Sequence, residues 1–82
     1  MEIKQHLIDE TKKWLEKIKA ERKNVALEDS NRSDFLENID AYISDSEFFL
    51  EGGELIEAFE AVIWAWAYLE IGRELKIFGK KS

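Results

Sequence analysis

Four small residues in the last third of the chain constrain its fold more than any other feature. Ala58, Ala61, Ala65 and Gly72 are spaced by three, four and seven residues, so at 3.6 residues per turn they fall along one line of a helix. Large residues flank this line, namely Trp64, Tyr68 and Leu75 on one side and Val62, Trp66 and Leu69 on the other. Small residues at a contact let neighbouring helices approach closely. We therefore predict a packing seam formed by Ala58, Ala61, Ala65 and Gly72 on a helix clasped by two others.

Two amphipathic helices are predicted before this one. Apolar residues recur at helical spacing from Ile3 to Val25, and again from Phe35 to Leu50. The pair Gly52-Gly53 ends the second helix, and so short a connection makes the third helix run antiparallel to the second. The chain contains no proline that would force a kink.

The fold predicted from these patterns is all-α, an up-down-up antiparallel three-helix bundle in which the third helix is central. Residues 1–82 are expected to form one domain with helices at about 2–25, 32–51 and 54–78. Gly79 is expected to cap the last helix. Aromatic residues at helical spacing usually lie in a core, and this rule assigns Trp14, Trp64, Trp66 and Tyr68 to the interior.

Charge and missing residue types exclude several classes of protein. The formal net charge of −6 disfavours nucleic acid, which is bound mainly by Lys and Arg, and it equally disfavours an anionic membrane surface. The longest apolar run, from Ala61 to Leu69, is well short of the about 20 residues that span a bilayer. The chain has no cysteine, so we expect a cytoplasmic location and neither a thiolate metal site nor a thiol nucleophile.

No residue pattern indicates catalysis or a cofactor. His6 is the only histidine, whereas a zinc site needs three or four ligands. The segment from Asp29 to Ser33 resembles the start of a calcium loop, but Asp34 follows where the loop requires glycine. The acidic residues near the glycine turn suit the start of a helix: Glu51, Glu54, Glu57 and Glu60. We therefore expect no enzymatic activity, no metal and no cofactor.

Three segments carry a resemblance to a known family. These are Phe48–Glu54, Ala58-Phe59 and Trp64–Gly72, in which the last reads Trp-Ala-Trp-Ala-Tyr-Leu-Glu-Ile-Gly. They resemble an archaeal family of small helical proteins, domain of unknown function 357. The resemblance implies a compact three-helix bundle and an archaeal source, and it implies no activity. The glycine turn followed by an alanine-rich helix is also similar to helical nucleotide-binding domains of some toxin ribonucleases, but no histidine follows Arg73 as their nuclease motif requires.

Apolar residues outside the predicted core suggest an interaction surface. Phe48, Ile56 and Ile63 lie off the main apolar stripes of their helices, and their burial against another chain would add stability. We predict a non-enzymatic protein-interaction module, acting either as a homodimer or as a subunit of a larger assembly. The alternative is a helical domain that binds a small ligand or nucleotide without nuclease activity.

Overall fold

The computed structural model describes residues 2–80, which form three helices and two short strands. The helices are α1 (Ile3–Lys23), α2 (Ser33–Glu51) and α3 (Leu55–Glu74), and the strands are β1 (Val25–Leu27) and β2 (Phe78–Lys80). A single 3₁₀ turn, Ser30–Arg32, leads into α2. The helices pack side by side in an elongated bundle of 43 × 20 × 17 Å. The predicted all-α, up-down-up three-helix architecture is confirmed.

The central helix is α3. It packs most extensively against α2 and also against α1, whereas α1 and α2 share a smaller contact. Its buried residues follow one side of the helix: Ala58, Ala61, Val62, Ala65, Leu69 and Gly72. The core between the helices includes Ile18 of α1, Ile39 of α2 and Leu69 of α3, each fully buried. All four residues of the predicted seam therefore lie on the buried side of α3.

Two polar side chains in the core have their hydrogen bonds satisfied. The Ser46 hydroxyl of α2 donates to the carbonyl oxygen of Ala58 in α3, with an oxygen–oxygen distance of 2.7 Å. The Thr11 hydroxyl donates to the carbonyl oxygen of Leu7, one turn earlier in α1, at 2.8 Å. Burying a hydroxyl is tolerated when it keeps a partner. Ser46 thus fixes the register between α2 and α3 at the point where the small Ala58 allows close approach.

The turn between α2 and α3 ends α2 as the sequence predicts. Gly53 has a φ of 77°, in the left-handed region that favours glycine. The amide of Gly53 donates to the carbonyl of Leu50, and the amide of Glu54 donates to that of Phe49. These two bonds form the capping arrangement in which a left-handed residue closes a helix end. They turn the chain tightly enough to hold α3 antiparallel against α2.

The end of α3 differs from the prediction. The helix stops at Glu74 instead of continuing to residue 78, and Lys76 adopts the left-handed conformation with a φ of 59°. The amides of Lys76 and Ile77 donate to the carbonyls of Arg73 and Gly72, which closes the helix end in the same way as at the first turn. Had the helix continued at about 100° per residue, Phe78 would project on the solvent side. The reversal at Lys76 buries it instead.

The last described residues pair with the segment after α1, which makes a two-stranded antiparallel sheet in place of helical ends. The register matches Val25 with Lys80 and Leu27 with Phe78. The first helix accordingly ends at Lys23, before the predicted residue 25, and Gly79 lies within a strand instead of capping α3. Val25 and Phe78 are both buried. The sheet therefore covers one end of the bundle with apolar side chains.

Gly72 has a different neighbour from the one that the seam predicts. A β-carbon at this position would overlap the ring of Phe78. The small side chain in the last turns of α3 thus makes room for an aromatic ring of β2, not for a second helix.

Among residues 2–80, none of the helices is long and apolar enough to cross a membrane.

Candidate protein-interaction surface

The three apolar residues of the predicted interaction surface are exposed. The exposed fraction is 71% for Phe48, 67% for Ile56 and 44% for Ile63. Ile56 and Ile63 lie two turns apart on α3, whereas Phe48 lies near the end of α2. Their position on different helices decides whether they can contact one partner together.

Phe48 lies on a different side of the bundle from the two isoleucines. Ser46 points into the α2–α3 contact, where its hydroxyl bonds to Ala58. Two residues further along a helix corresponds to a rotation of about 200°, so Phe48 points away from α3. Ile56 and Ile63 are likewise turned away from the buried side of α3, in the opposite direction. Phe48 packs edge-on against Phe49, with ring centroids 5.7 Å apart, and shares no face with Ile56 and Ile63.

The exposed side of α3 carries a strip of apolar residues within which Glu60 also lies. We call it the outer face. Its apolar members are Ile56, Ile63, Trp64, Ala67 and Ile71. At 3.6 residues per turn they fall within about a third of the helix circumference. Exposed fractions of 56% for Trp64 and 50% for Ile71 show that the strip extends well beyond the two predicted residues. From Ile56 to Ile71 it is about 22 Å long at 1.5 Å per residue.

Trp64 was expected in the core and is not there. Its ring stacks on Tyr42 of α2, with centroids 6.3 Å apart and planes inclined by 22°, and Tyr42 in turn stacks on Tyr68 at 5.8 Å. Trp64 therefore lies at the edge where α2 meets α3, with one side of the ring packed and the rest in solvent. Trp64 and Trp66 are two residues apart and therefore about 200° apart around α3. Trp66 faces α1, so Trp64 points nearly the opposite way, and the sequence spacing alone distinguishes the two positions.

Exposed carboxylates share the outer face with its apolar residues. Glu60, Glu70 and Glu74 are exposed, and none of them forms an ion pair within residues 2–80. The nearby cation on α3, Arg73, is turned towards α1, where its guanidinium donates to the carboxylate of Glu21 at 2.8 Å. The outer face therefore combines exposed apolar side chains with negative charge, and Glu60 lies between Ile56 and Trp64 within it.

A shallow groove adjoins the outer face where α3 meets α1. It has a volume of about 230 Å³ and is lined by Trp14, Ile63, Trp66 and Glu70. The two tryptophan rings meet edge to face, with centroids 5.7 Å apart and planes inclined by 85°. The indole N–H of Trp66 donates to the carbonyl oxygen of Trp14 at 3.2 Å, so it offers no hydrogen to a ligand. We call this feature the tryptophan groove.

Two lysines lie over Trp14 on the α1 side of this groove without lining it. The ammonium of Lys17 is 4.8 Å from the Trp14 ring centroid, and that of Lys13 is 5.1 Å away. Lys13 also pairs with Glu10 at 2.8 Å, and this bond holds the pKa of the Glu10 carboxyl below its ordinary value. The aromatic surface of α1 therefore already attracts cations from its own helix.

A second groove of about 230 Å³ lies between α1 and α2. Unlike the tryptophan groove, it is lined by charged residues of both signs. Its lining residues are Lys12, Leu15, Glu16, Lys19, Glu47, Leu50 and Glu51. Lys19 pairs with Glu47 across this groove. Its two lysines and three glutamates are mixed, so most of its charge is neutralised within the groove.

The residues considered for metal or acid–base chemistry are not brought together. Among residues 2–80, no group of three or more His, Cys, Asp and Glu side chains could hold a metal ion. His6 is exposed on the first turns of α1. The Asp29 carboxylate accepts from the amide of Asn31 at 3.0 Å, which is the turn-capping role preferred over a calcium ligand.

Comparison with known proteins gives one family. The model of the family described as protein of unknown function, DUF357, matches residues 7–78. A crystal structure of protein AF1782 from Archaeoglobus fulgidus, assigned to the same family, is similar to this chain with 45% sequence identity and a TM-score of 0.89. The match covers 98% of this chain and 100% of that one. No curated protein matches the chain.

Proposed function

We propose that this chain, which belongs to the DUF357 family of proteins of unknown function, is a protein-interaction module whose outer face binds a basic amphipathic helix of a different protein. The single observation that carries this proposal is the exposed strip of α3. It combines large apolar side chains with carboxylates that have no ion-pair partner within residues 2–80.

The spacing of the apolar residues favours a helix as the partner. Ile56, Ile63 and Ile71 are separated by seven and eight residues, the repeat at which one helix contacts another along its length. A strip of about 22 Å is matched by a partner helix of roughly 15 residues. Exposed apolar patches rimmed by polar residues are typical of protein-binding sites.

The charges favour a basic partner. Glu60 and Glu74 lie within the outer face and Glu70 at its edge, and complementary Lys or Arg residues on the partner would neutralise them. The chain as a whole has a net charge of −6, so its long-range field also attracts a basic segment. A basic helix with apolar residues three, four and seven positions apart fits both features.

A second copy of this chain fits the outer face poorly. Each copy carries a net charge of −6, and Glu60 and Glu74 lie within the outer face, so pairing two copies through this face brings like charges together. A parallel two-fold pairing also brings Glu60, near the centre of the face, next to its own copy. Like charges placed directly against each other at an interface cost several kcal/mol. The partner is therefore proposed to be a different, positively charged protein, and the homodimer is not favoured.

The test is a selection from displayed peptides of about 18 residues, which covers the strip with one turn to spare. All members share an apolar stripe at helical spacing, and their remaining positions vary freely among Lys, Arg, Glu, Gln and Ser. We expect the selected pool to be enriched in Lys and Arg beside the stripe. A pool that is neutral or acidic, or the absence of any binder, contradicts the proposal.

Two matched variants locate the contact. Ile71→Asp replaces an exposed residue of the outer face, and Phe48→Asp replaces an exposed residue on the opposite side of the bundle. Calorimetry with the best peptide is expected to show at least a tenfold loss of affinity for Ile71→Asp, about 1.4 kcal/mol, and no loss for Phe48→Asp. Ile56→Asp serves as the second outer-face variant, and circular dichroism checks folding. Loss with Phe48→Asp, or none with either outer-face variant, would overturn the assignment.

A further inference from the structure

We infer that the tryptophan groove receives one arginine side chain of the bound helix, with its guanidinium on the carboxylate of Glu70. This inference rests on the proposed function and adds to it the side chain that anchors the partner. Ile63 and Glu70 belong both to the outer face and to the groove, so a helix lying on the face passes directly over the groove.

The size of the groove fits one side chain. At about 230 Å³ it is smaller than the roughly 300–1,000 Å³ of sites that hold drug-sized ligands or cofactors. It is open along one side and bounded by two tryptophans. A long side chain entering from a helix above fits such a space.

The polar groups of the groove select for a donor. The indole N–H of Trp66 is already bonded to the Trp14 carbonyl, so the polar group that Trp66 would supply is used internally. Glu70 is the charged residue in the groove lining and forms no ion pair among residues 2–80. A carboxylate accepts hydrogen bonds, so an anionic or acceptor-only ligand is disfavoured and a cation is favoured.

Arginine fits this lining better than lysine does. Its planar guanidinium stacks on aromatic rings and makes paired hydrogen bonds to a carboxylate, whereas the compact ammonium of lysine does neither as well. Its aliphatic stem can lie on Ile63 and Trp66 while the charged end reaches Glu70. Lys13 and Lys17 lie over Trp14 and do not line the groove, and Lys13 is paired with Glu10.

A double-mutant cycle tests the pairing. The probe is the highest-affinity peptide from the selection, in which each arginine is replaced in turn by citrulline, a neutral side chain of nearly the same shape. Each peptide is titrated into wild type, Glu70→Gln and, as a matched control on the same face outside the groove, Glu74→Gln. At one arginine position, we expect the citrulline peptide to bind wild type about tenfold more weakly than the arginine peptide does. On Glu70→Gln, the same replacement should weaken binding by less than about twofold.

The outcomes separate this inference from the proposed function. At that arginine position, citrulline should still weaken binding to Glu74→Gln about tenfold, because the Glu74 carboxylate does not line the groove. Penalties that are equal in wild type and Glu70→Gln at every arginine position overturn the arginine assignment, even when Ile71→Asp still abolishes binding. If Ile71→Asp and Ile56→Asp bind the peptide as wild type does, the outer face itself is wrong and the groove assignment falls with it.

Discussion

Replacing Gly72 by alanine tests the packing at the end of α3. In an ordinary helix this substitution stabilises by about 1 kcal/mol, because glycine is a poor helix former. Here the added β-carbon would occupy space filled by the ring of Phe78, which is only 5% exposed. The ring must move, and its edge-to-face packing against Phe35 is then weakened. The same substitution therefore has two opposing effects on the free energy of unfolding, and the larger one decides whether the protein becomes more or less stable.

The magnitudes favour a net loss of stability. Removing a buried phenylalanine side chain costs about 3–5 kcal/mol, and displacing the ring without deleting it costs somewhat less, about 3 kcal/mol. After the helix-propensity gain of about 1 kcal/mol is subtracted, we expect Gly72→Ala to lower the free energy of unfolding by about 2 kcal/mol. With Phe78→Ala already present there is no ring to displace. In that background Gly72→Ala should raise the free energy of unfolding by about 1 kcal/mol.

Urea unfolding followed by circular dichroism measures all four proteins of this cycle: wild type, both single variants and the double variant. The midpoint should shift while the slope stays constant, so that the free energies can be compared directly. The reversal of sign corresponds to a coupling of about 3 kcal/mol between the two positions. A Gly72→Ala protein as stable as wild type, or one equally destabilised with and without the Phe78 ring, would refute this account of the helix end.

The two turns make further predictions. Gly53→Ala should lower the free energy of unfolding by about 1 kcal/mol, because its positive φ is unfavourable for a side chain although no atom lies in the way. Gly52→Ala should be neutral or slightly stabilising, since Gly52 has a helical backbone, and equal effects at both glycines in urea unfolding would contradict the capping assignment. Lys76→Gly should raise the free energy of unfolding by about 0.5–1 kcal/mol, because Lys76 occupies a left-handed position that glycine adopts without strain. A loss of stability in the same assay would show that the lysine side chain has a role that this reasoning lacks.

Local features of the sequence were sufficient for the helices and for their order. The Gly52-Gly53 pair marks the end of α2 because glycine adopts the left-handed conformation seen at Gly53 without steric cost. The alanines of the seam mark the buried side of α3 because their helical spacing is independent of any partner. These predictions needed no knowledge of long-range contacts.

The C-terminal strand could not be predicted in the same way. Three-residue strands are too short for a periodic pattern, and the pairing of Val25 with Lys80 joins segments that are far apart in the sequence. Lys76 also occupies a position where glycine is usual, so the helix end has no local mark. One signal was present, because a helix continued to Phe78 would have left that large ring in solvent. The prediction that Trp64 lies in the core is wrong for a related reason. It rests on the residue type, whereas the position of Trp64 around α3 places it at the edge of the contact with α2.

A charge-exchange experiment measures whether the apolar strip of α3, together with its carboxylates that form no ion pair within residues 2–80, selects a basic helix. One protein carries Glu60, Glu70 and Glu74 all replaced by Lys, and one peptide has every Lys and Arg replaced by Glu. Affinities are measured for all four combinations of wild-type or reversed protein with basic or reversed peptide. We expect tight binding of wild type to the basic peptide and of the reversed protein to the reversed peptide, with weak binding for both mixed pairs. Equal affinity of wild type for the basic and the acidic peptide would contradict this prediction.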